Sequence, residues 1–219
     1  MTIENGGFEF GTFRNFRTIG NTSIETADFG SGPSEGTFQA LLTNGVSDSG
    51  GSVVTSDIEE FLDLAPGLLD GLGNGDVTEG SAIKQTFTAD AGDILTFDFN
   101  FLTNEDATSL FNDFAFFTVN PFTLELADTT DPTSLDDPLG SANFSAATSF
   151  ETVSVAISAP GTYTLGFGVV DAGDSIVESG LLLDNIQLTS TGIGTEPISI
   201  EGSLVVRSEV DKLISIQAR

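Results

Sequence analysis

The chain has no cysteine, histidine or tryptophan among its 219 residues, and only six of those residues are basic. Without histidine and cysteine there is no imidazole base, no thiolate nucleophile and no zinc site of the usual nitrogen–sulfur type. The lack of cysteine also excludes a disulfide framework, so that packing or bound ions must supply stability. No apolar run is long enough to predict a membrane-spanning helix.

Acidic residues are present in large excess, with 33 of them against six basic residues and a net charge of −27. This charge repels nucleic acid, whose binding needs basic residues to displace phosphate counterions, and it repels an anionic membrane surface. Hydrophobic residues make up 39% of the chain, which favours a folded core over disorder. Carboxylates are the oxygen ligands that calcium prefers. We therefore favour calcium binding over the alternative that the acids serve solubility alone.

Short apolar or alternating runs, bounded by turns rich in Gly, Pro and Asp, dominate the chain. Residues 95–101 alternate strictly between apolar and polar side chains, which indicates a strand with one buried face. Further strands are predicted at residues 36–42, 81–89, 114–119, 153–157, 162–170 and 181–188. This succession predicts an all-β fold, a jelly-roll-like antiparallel β-sandwich.

Two segments depart from the strand pattern. Ser56 and Glu59 have the spacing of a capping box, and Leu68–Leu72 can form a further turn, so we expect one or two short helices.

After the sandwich domain, predicted at residues 1–190, the chain has new apolar runs at 198–200, 204–206 and 213–216. Residues 191–219 are therefore expected to form a C-terminal β extension that serves assembly or anchoring.

Several short motifs together resemble one group of exported proteins. They are the segments Asn5–Glu9, Asn100–Glu105, Asn112–Phe116, Gly161–Asp171 and Leu183–Ile186. As a set they are similar to the "choice-of-anchor" β-sandwich proteins common in cyanobacteria, many of which end in a PEP-CTERM sorting tail. The resemblance covers roughly residues 5–190 and does not include the sorting tail. It implies an extracellular or cell-surface location more directly than it implies an activity.

The two ends of the domain also resemble, more distantly, the calcium-stabilised jelly rolls of carbohydrate-binding modules. The matching segments are Gly7–Glu9 at the start and Asp184–Ile186 at the end. In those modules the glutamate of the first motif and the aspartate of the last meet at one structural calcium ion. The resemblance therefore implies that Glu9 and Asp184 hold calcium. The alternative is that both are solvated turn carboxylates.

A second group of acids lies in two loops beside predicted strands. Its members are Glu105, Asp106, Asp113, Asp171, Asp174 and Glu178. If the loops face each other, their uncompensated carboxylates repel, and a divalent ion would relieve that repulsion. This group is the second candidate calcium site, with an ordinary acidic loop surface as the alternative.

These observations predict a non-catalytic extracellular structural protein that is stabilised by calcium and self-associates. Residues 191–219 would donate a strand to a neighbouring subunit and build a homo-oligomer or polymer, as in a filament or sheath. The same residues completing their own sandwich is an open alternative. The second hypothesis is a calcium-dependent carbohydrate-binding or adhesion module that takes a polysaccharide. A hydrolase is disfavoured because the chain has no tryptophan and one tyrosine to form a sugar platform.

Overall fold

A computed structural model describes residues 3–45, 51–134, 144–190, 203–208 and 212–217. In this part of the chain the helical elements are α1 (Thr55–Phe61) and two 3-10 turns, at Ala27–Phe29 and Asp70–Leu72. The strands are β1 (Arg17–Ile19), β2 (Asn21–Glu25), β3 (Gln39–Thr43), β4 (Val53–Val54), β5 (Val77–Ala89), β6 (Ile94–Thr103), β7 (Phe114–Val119), β8 (Phe122–Asp128), β9 (Thr133–Ser134), β10 (Ala146–Ala147), β11 (Glu151–Ala156), β12 (Gly161–Ala172), β13 (Ser179–Thr189), β14 (Ser203–Ser208) and β15 (Lys212–Gln217).

The described strands form two antiparallel sheets that pack face to face. The six-stranded sheet has the order β1-β5-β12-β7-β8, with β4 paired to β5. The nine-stranded sheet has the order β15-β14-β11-β6-β13-β3-β2, with β10 paired to β6 and β9 paired to β10. The predicted all-β, jelly-roll-like antiparallel sandwich is therefore confirmed, and the predicted short helix is present as α1.

Phenylalanine rings fill the space between the two sheets. The alternation in β6 points Phe97, Phe99 and Phe101 into this core, where each is almost fully buried. The Phe97 ring lies 5.2 Å from that of Phe117 and 4.8 Å from that of Phe167, both on the opposite sheet. Burial of each such side chain contributes about 1.5–3 kcal/mol. The phenylalanine content is thus explained largely by packing.

The start of α1 differs from its prediction. The helix is preceded by Val54, whose side chain makes no capping hydrogen bond, so the capping box at Ser56 and Glu59 is wrong. Glu59 is buried instead, and its carboxylate accepts hydrogen bonds from the backbone amides of Gly67 at 2.8 Å and Leu69 at 3.0 Å. The acid stabilises the turn that follows the helix because it supplies acceptors for two backbone amides. Among the described residues, no helix has the length and apolar character needed to span a membrane.

The first turn of the chain packs against the last strand of the sandwich. The Ile186 amide donates to the Gly6 carbonyl at 3.0 Å, and a Cβ atom at Gly6 would lie 1.9 Å from the Ile186 carbonyl oxygen. Only glycine therefore allows this approach. Phe8, just after it, is fully buried in the core. The two ends of the sandwich domain thus meet in space.

The C-terminal strands extend the nine-stranded sheet beyond β11. Val153–Ala156 of β11 pair with Val205–Ser208 of β14, and β15 pairs with β14 in turn. The structure places these strands beside the sandwich of the same chain. The apolar run predicted at residues 198–200 lies outside the described residues. The division into residues 1–190 and 191–219 stays a prediction.

Candidate functional site

Two loops cross from one sheet to the other at the same end of the sandwich. Residues 104–113 connect β6 to β7, and residues 173–178 connect β12 to β13. The first residue of β13, Ser179, pairs with Thr103 at the end of β6, and its carbonyl accepts the Asn44 amide at 3.1 Å. We call these loops, Asn44 and the adjoining strand ends the acidic end.

Asn44 holds two buried carboxylates together at the acidic end. Its Nδ2 donates to Asp171 Oδ1 at 2.7 Å and to Asp113 Oδ2 at 3.1 Å, while its Oδ1 accepts the Ser179 amide at 2.6 Å. Asp113 also accepts from Ser179 Oγ at 2.7 Å and from the Ala172 amide at 3.1 Å. Asp113 is 0% exposed and Asp171 is 1% exposed. The result is a rigid pair of carboxylates shielded from water.

The carboxylate pair carries more negative charge than its hydrogen bonds compensate. Burial raises the pKa of Asp113, and a smaller contribution in the same direction comes from Asp174. Burial, followed by the charges of Asp113, Glu79 and Asp174, raises the pKa of Asp171 to about 9. In the described part of the chain the one ion pair is Lys84–Asp63. A proton or a cation is therefore needed to neutralise the pair.

Glu105 lies beside this pair with one oxygen atom unused. The residue is 9% exposed, and its Oε1 atom has no hydrogen-bond partner among the described residues. Its backbone amide donates to Thr103 Oγ1 at 2.9 Å. Burial raises the pKa of Glu105, and the charges of Asp113 and Asp174 raise it further. Hydrogen bonds from Ser109 and from the Asp106 backbone act in the opposite direction and lower the pKa of Glu105, so only the Oε1 atom is left without a partner in the described part of the chain.

A pocket of about 110 Å³ opens to solvent beside Asp171. Its lining combines carboxylate, amide and hydroxyl oxygens with two aliphatic side chains, and consists of Asn44, Gly45, Asp171, Ser175, Ile176, Val177 and Glu178. Pockets that combine apolar surface with a few fixed polar groups are the usual form of small-ligand sites.

Three apolar side chains in the loops of the acidic end are exposed, and one of them, Ile176, lines the pocket. Ile176 is 81% exposed and Leu110 is 95% exposed. Phe111 is 37% exposed, and its ring lies so close to Gly173 that a Cβ atom there would be 2.9 Å from the ring. The ring contact joins the two loops of the acidic end. The exposed Ile176 side chain gives the pocket an apolar contact surface beside its polar groups.

All six acids of the second predicted group lie at the acidic end, but the Asp106 carboxylate is bound within its own loop. Asp113 and Asp171 share Asn44, and Glu178 lines the pocket. Asp106 is exposed, and its Oδ1 accepts hydrogen bonds from the amide and hydroxyl of Thr108, both at 2.8 Å. These bonds lower the pKa of Asp106. Asp106 therefore shapes its own loop.

Calcium binding by this group stays a prediction. Within the described residues, no three acidic, histidine or cysteine side chains converge in the manner of a metal centre. The site presents two buried carboxylates, Asp113 and Asp171, which accept hydrogen bonds from Asn44 Nδ2 and, at Asp113, from the neutral hydroxyl of Ser179. Calcium accepts such mixed oxygen sets and often completes them with water. The residues present therefore suit a calcium ion in chemistry.

The two acids of the first predicted pair, Glu9 and Asp184, accept hydrogen bonds from the same loop, which precedes β3. Glu9 is exposed, and its Oε1 accepts the backbone amides of Thr37 at 2.8 Å and Phe38 at 3.0 Å. Asp184 is fully buried and its Oδ2 accepts the Glu35 amide at 2.8 Å, while burial raises its pKa. Both acids thus stabilise the segment before β3. A calcium ion shared by the two stays a prediction.

Sequence reasoning missed three polar residues on or beside the sheet that carries Asp184. Asp98 is paired with Asp184 across β6 and β13, and Ser34 Oγ donates to both carboxylates, at 2.8 and 3.1 Å. Gln39 is fully buried on the same sheet, and its Oε1 has no hydrogen-bond partner among the described residues. Polar positions in an alternating strand are expected to face solvent, and here a loop covers them.

At the acidic end, sequence reasoning missed Asn44 because its partners Asp113 and Asp171 are 69 and 127 residues away in the chain.

No protein-family model matches the chain, and no curated protein sequence matches it. The resemblance to the choice-of-anchor proteins therefore stays a prediction. Similarities are found among solved structures. One is TmCBM61 in complex with beta-1,4-galactotriose, with a TM-score of 0.45, 12% identity and coverage of 85% of this chain and 95% of that chain.

Two further solved structures are similar in part. TmCBM27, a carbohydrate-binding module described for specific mannan recognition, has a TM-score of 0.42 and 13% identity, over 87% of this chain and 96% of that chain. The enzymatically active domain of tailspike protein 4 from bacteriophage CBA120 has a TM-score of 0.38 and 12% identity, over 85% of this chain and 21% of that chain. At these values the likeness concerns only the β-sheet architecture.

Proposed function

We propose that the protein is a non-catalytic extracellular module that binds carbohydrate in a calcium-dependent manner at the acidic end. The observation that carries the proposal is the pocket beside Asp171, where fixed carboxylate and amide oxygens adjoin exposed apolar side chains. A sugar presents hydroxyl groups and apolar ring faces together, so it needs both kinds of surface. Asn44 and Glu178 supply hydrogen-bonding groups, and Ile176 supplies an apolar contact.

Calcium has a defined part in this proposal. Asp113 and Asp171 hold excess negative charge, and a bound divalent ion would neutralise it. A calcium ion that keeps open coordination positions can accept sugar hydroxyl oxygens, because it takes oxygen ligands in flexible geometry. This route does not require the tryptophan platforms that the chain lacks. The ion would thus join the protein to the sugar.

A glycan array tests the proposal with calcium and with chelator. We expect binding to neutral or acidic polysaccharide in calcium and its loss in chelator. Ile176→Ala is expected to weaken binding at least tenfold, because it removes the apolar contact at the pocket. The matched control is Phe10→Ala, which removes another exposed large side chain, 59% exposed, outside the acidic end. Absence of glycan binding in calcium contradicts the proposal, and glycan turnover that disappears with one carboxylate replaces it with a hydrolase.

Self-assembly through the C-terminal strands is the second candidate. The pairing of β14 with β11 shows that the edge of β11 accepts a strand; here that strand belongs to the same chain, and assembly requires β14 of a neighbouring copy to take its place. Deletion of residues 191–219 is expected to abolish large particles in light scattering and leave the melting temperature of the monomer nearly unchanged. A full chain that stays monomeric at every concentration, or a truncated chain that unfolds, rules the candidate out.

A further inference from the structure

The chain contains three Asn-Gly pairs, at residues 5–6, 44–45 and 74–75. Asparagine followed by glycine is the sequence most prone to spontaneous deamidation, because glycine has no side chain to shield its backbone nitrogen from the asparagine amide carbon. The reaction also requires the backbone to rotate until that nitrogen faces the carbon. The fold therefore decides which of the three pairs can react.

Packing fixes the backbone at the first two pairs. The Asn5 side chain donates hydrogen bonds to two backbone carbonyls, and Gly6 lies against the Ile186 carbonyl. Asn44 is buried, and its Nδ2 donates to the two buried carboxylates of the acidic end. A Cβ atom at Gly45 would lie 2.5 Å from the nearest side-chain atom. Neither backbone has room to rotate, so the fold protects both pairs.

The third pair lies in an open turn between α1 and β5. Gly73 and Gly75, on either side of Asn74, have φ angles of 103° and 119°. Among the described residues, no atom outside the adjacent residues lies within 4 Å of the Cβ position of either glycine. Glycine changes its backbone conformation at little steric cost. The turn is therefore free to bring the Gly75 nitrogen to the Asn74 amide carbon.

Two polar side chains from other parts of the fold contact the Asn74 amide. Asn112 Nδ2 donates to Asn74 Oδ1 at 3.2 Å, and this bond stabilises the negative charge that develops on the oxygen during attack. Asn74 Nδ2 donates to Glu125 Oε2, which places a carboxyl group at the nitrogen that must leave. Burial raises the pKa of Glu125, so this acid holds a proton more readily than an ordinary glutamate and can deliver it to the nitrogen.

We infer that the pair Asn74–Gly75 is a site of spontaneous chemical modification in the folded protein. The Gly75 nitrogen forms a bond to Asn74 Cγ and loses its proton to solvent. The bond from Cγ to Nδ2 breaks, and the nitrogen leaves as ammonia after it takes a proton from Glu125. Water then opens the cyclic imide to aspartate or isoaspartate at position 74. The reaction consumes one water molecule and needs no cofactor or oxidant.

The product places a new negative charge where acids already meet. The carboxylate formed at position 74 faces Glu125, and Asn112 Nδ2, which contacts Asn74, also donates to Asp128 Oδ2 at 3.0 Å. Because like charges at this distance repel, the turn loses its hydrogen bond to β8. The modification therefore detaches the turn from the six-stranded sheet. Asn74 does not line the pocket, so this inference does not depend on the proposed function.

Peptide mapping by mass spectrometry of the full chain measures deamidation at each pair during incubation. In urea, where the chain is unfolded, we expect similar rates at all three pairs. In the folded chain we expect Asn74 to react roughly tenfold or more faster than Asn5 and Asn44, and no more slowly than in urea. A rate at Asn74 that falls on folding as it does at the other two pairs overturns the inference.

Glu125→Gln tests the contribution of the neighbouring acid. Glutamine keeps an oxygen acceptor for Asn74 Nδ2 but cannot supply the proton, so we expect deamidation at Asn74 to slow by about tenfold in the folded chain and to be unchanged in urea. The difference between the two proteins should shrink as the pH rises, because Glu125 is then ionised. Glu151→Gln, which removes an exposed acid on β11, should leave the rate unchanged. Equal rates for Glu125→Gln and the unchanged chain overturn the part given to Glu125.

Asn74→Asp tests the detachment of the turn, because it introduces the charge of the product directly. We expect its melting temperature to lie about 2–4 °C below that of the unchanged chain. The control is Asn74→Gln, which keeps the amide, forms the cyclic imide far more slowly and should melt close to the unchanged chain. Equal melting temperatures for the two variants overturn the detachment.

Discussion

Asp171→Asn is expected to reduce the loss of stability that the metal-free protein shows as the pH rises. Burial and neighbouring charges raise the pKa of Asp171 from 3.8 to about 9, so the folded chain keeps a proton that the unfolded chain releases. The stabilisation is complete below about pH 4 and is lost as the pH approaches 9. One such proton contributes a slope of at most about 1.4 kcal/mol per pH unit.

Asparagine has nearly the shape of the neutral acid and still offers an oxygen to Asn44. The variant should therefore fold, and its free energy of unfolding should fall less steeply between pH 5 and pH 8. Urea unfolding of metal-free protein at several pH values measures the slope. Glu151→Gln controls for the change in net charge, because it removes one exposed carboxylate. Identical slopes for Asp171→Asn and the unchanged chain would show that Asp171 is ionised in the folded state.

Asp113→Ala is expected to lower the free energy of unfolding by at least about 3 kcal/mol, because three buried donors lose their acceptor. The donors are Asn44 Nδ2, Ser179 Oγ and the Ala172 amide, which together join the ends of β3, β13 and β12. Loss of these bonds also removes the support of Asp171. The change should therefore abolish the calcium response as well as reduce stability.

Chemical unfolding and calcium titration together measure this result. Asp113→Asn keeps the size of the side chain and one oxygen acceptor, so it should fold with a smaller loss of stability if the alanine variant does not fold. Asp106→Ala, in the same loop, removes an exposed acid that contacts only its own turn. It should unfold close to the unchanged chain. Equal losses for Asp106→Ala and Asp113→Ala would contradict the network described here.

The sandwich could be predicted because the apolar and polar pattern within each strand indicates that strand without knowledge of distant residues. The alternation from Leu95 to Phe101 predicts which face of β6 points into the core, and the buried phenylalanines confirm it, whereas the polar face with Asp98 and Asn100 is also buried. The cap of α1 could not be predicted in the same way. Glu59 has the correct spacing for a capping box, but its partners are amides at residues 67 and 69, which tertiary packing brings to it. Short strands such as β1 are only partly buried and have no clear pattern.

The acidic residues of the acidic end could be predicted from the sequence, but the contacts between their side chains could not. Acid-rich loops beside strands were enough to select Asp113 and Asp171. The residue that joins them, Asn44, is a single amide far away in the chain, and nothing near it indicates a partner. Sequence also does not show that the Asp106 carboxylate accepts hydrogen bonds from Thr108 of its own loop. Side-chain direction in loops depends on contacts that sequence spacing does not contain.

The contact between Gly6 and Ile186 also sets an order of events during synthesis. The amino-terminal turn cannot close until a strand about 180 residues later has been made. Contacts of such long separation form slowly, because the entropy of loop closure must be overcome before the contact stabilises anything. The turn at Gly6 is therefore among the last parts of the sandwich to form. The sandwich remains incomplete until nearly all of it has left the ribosome.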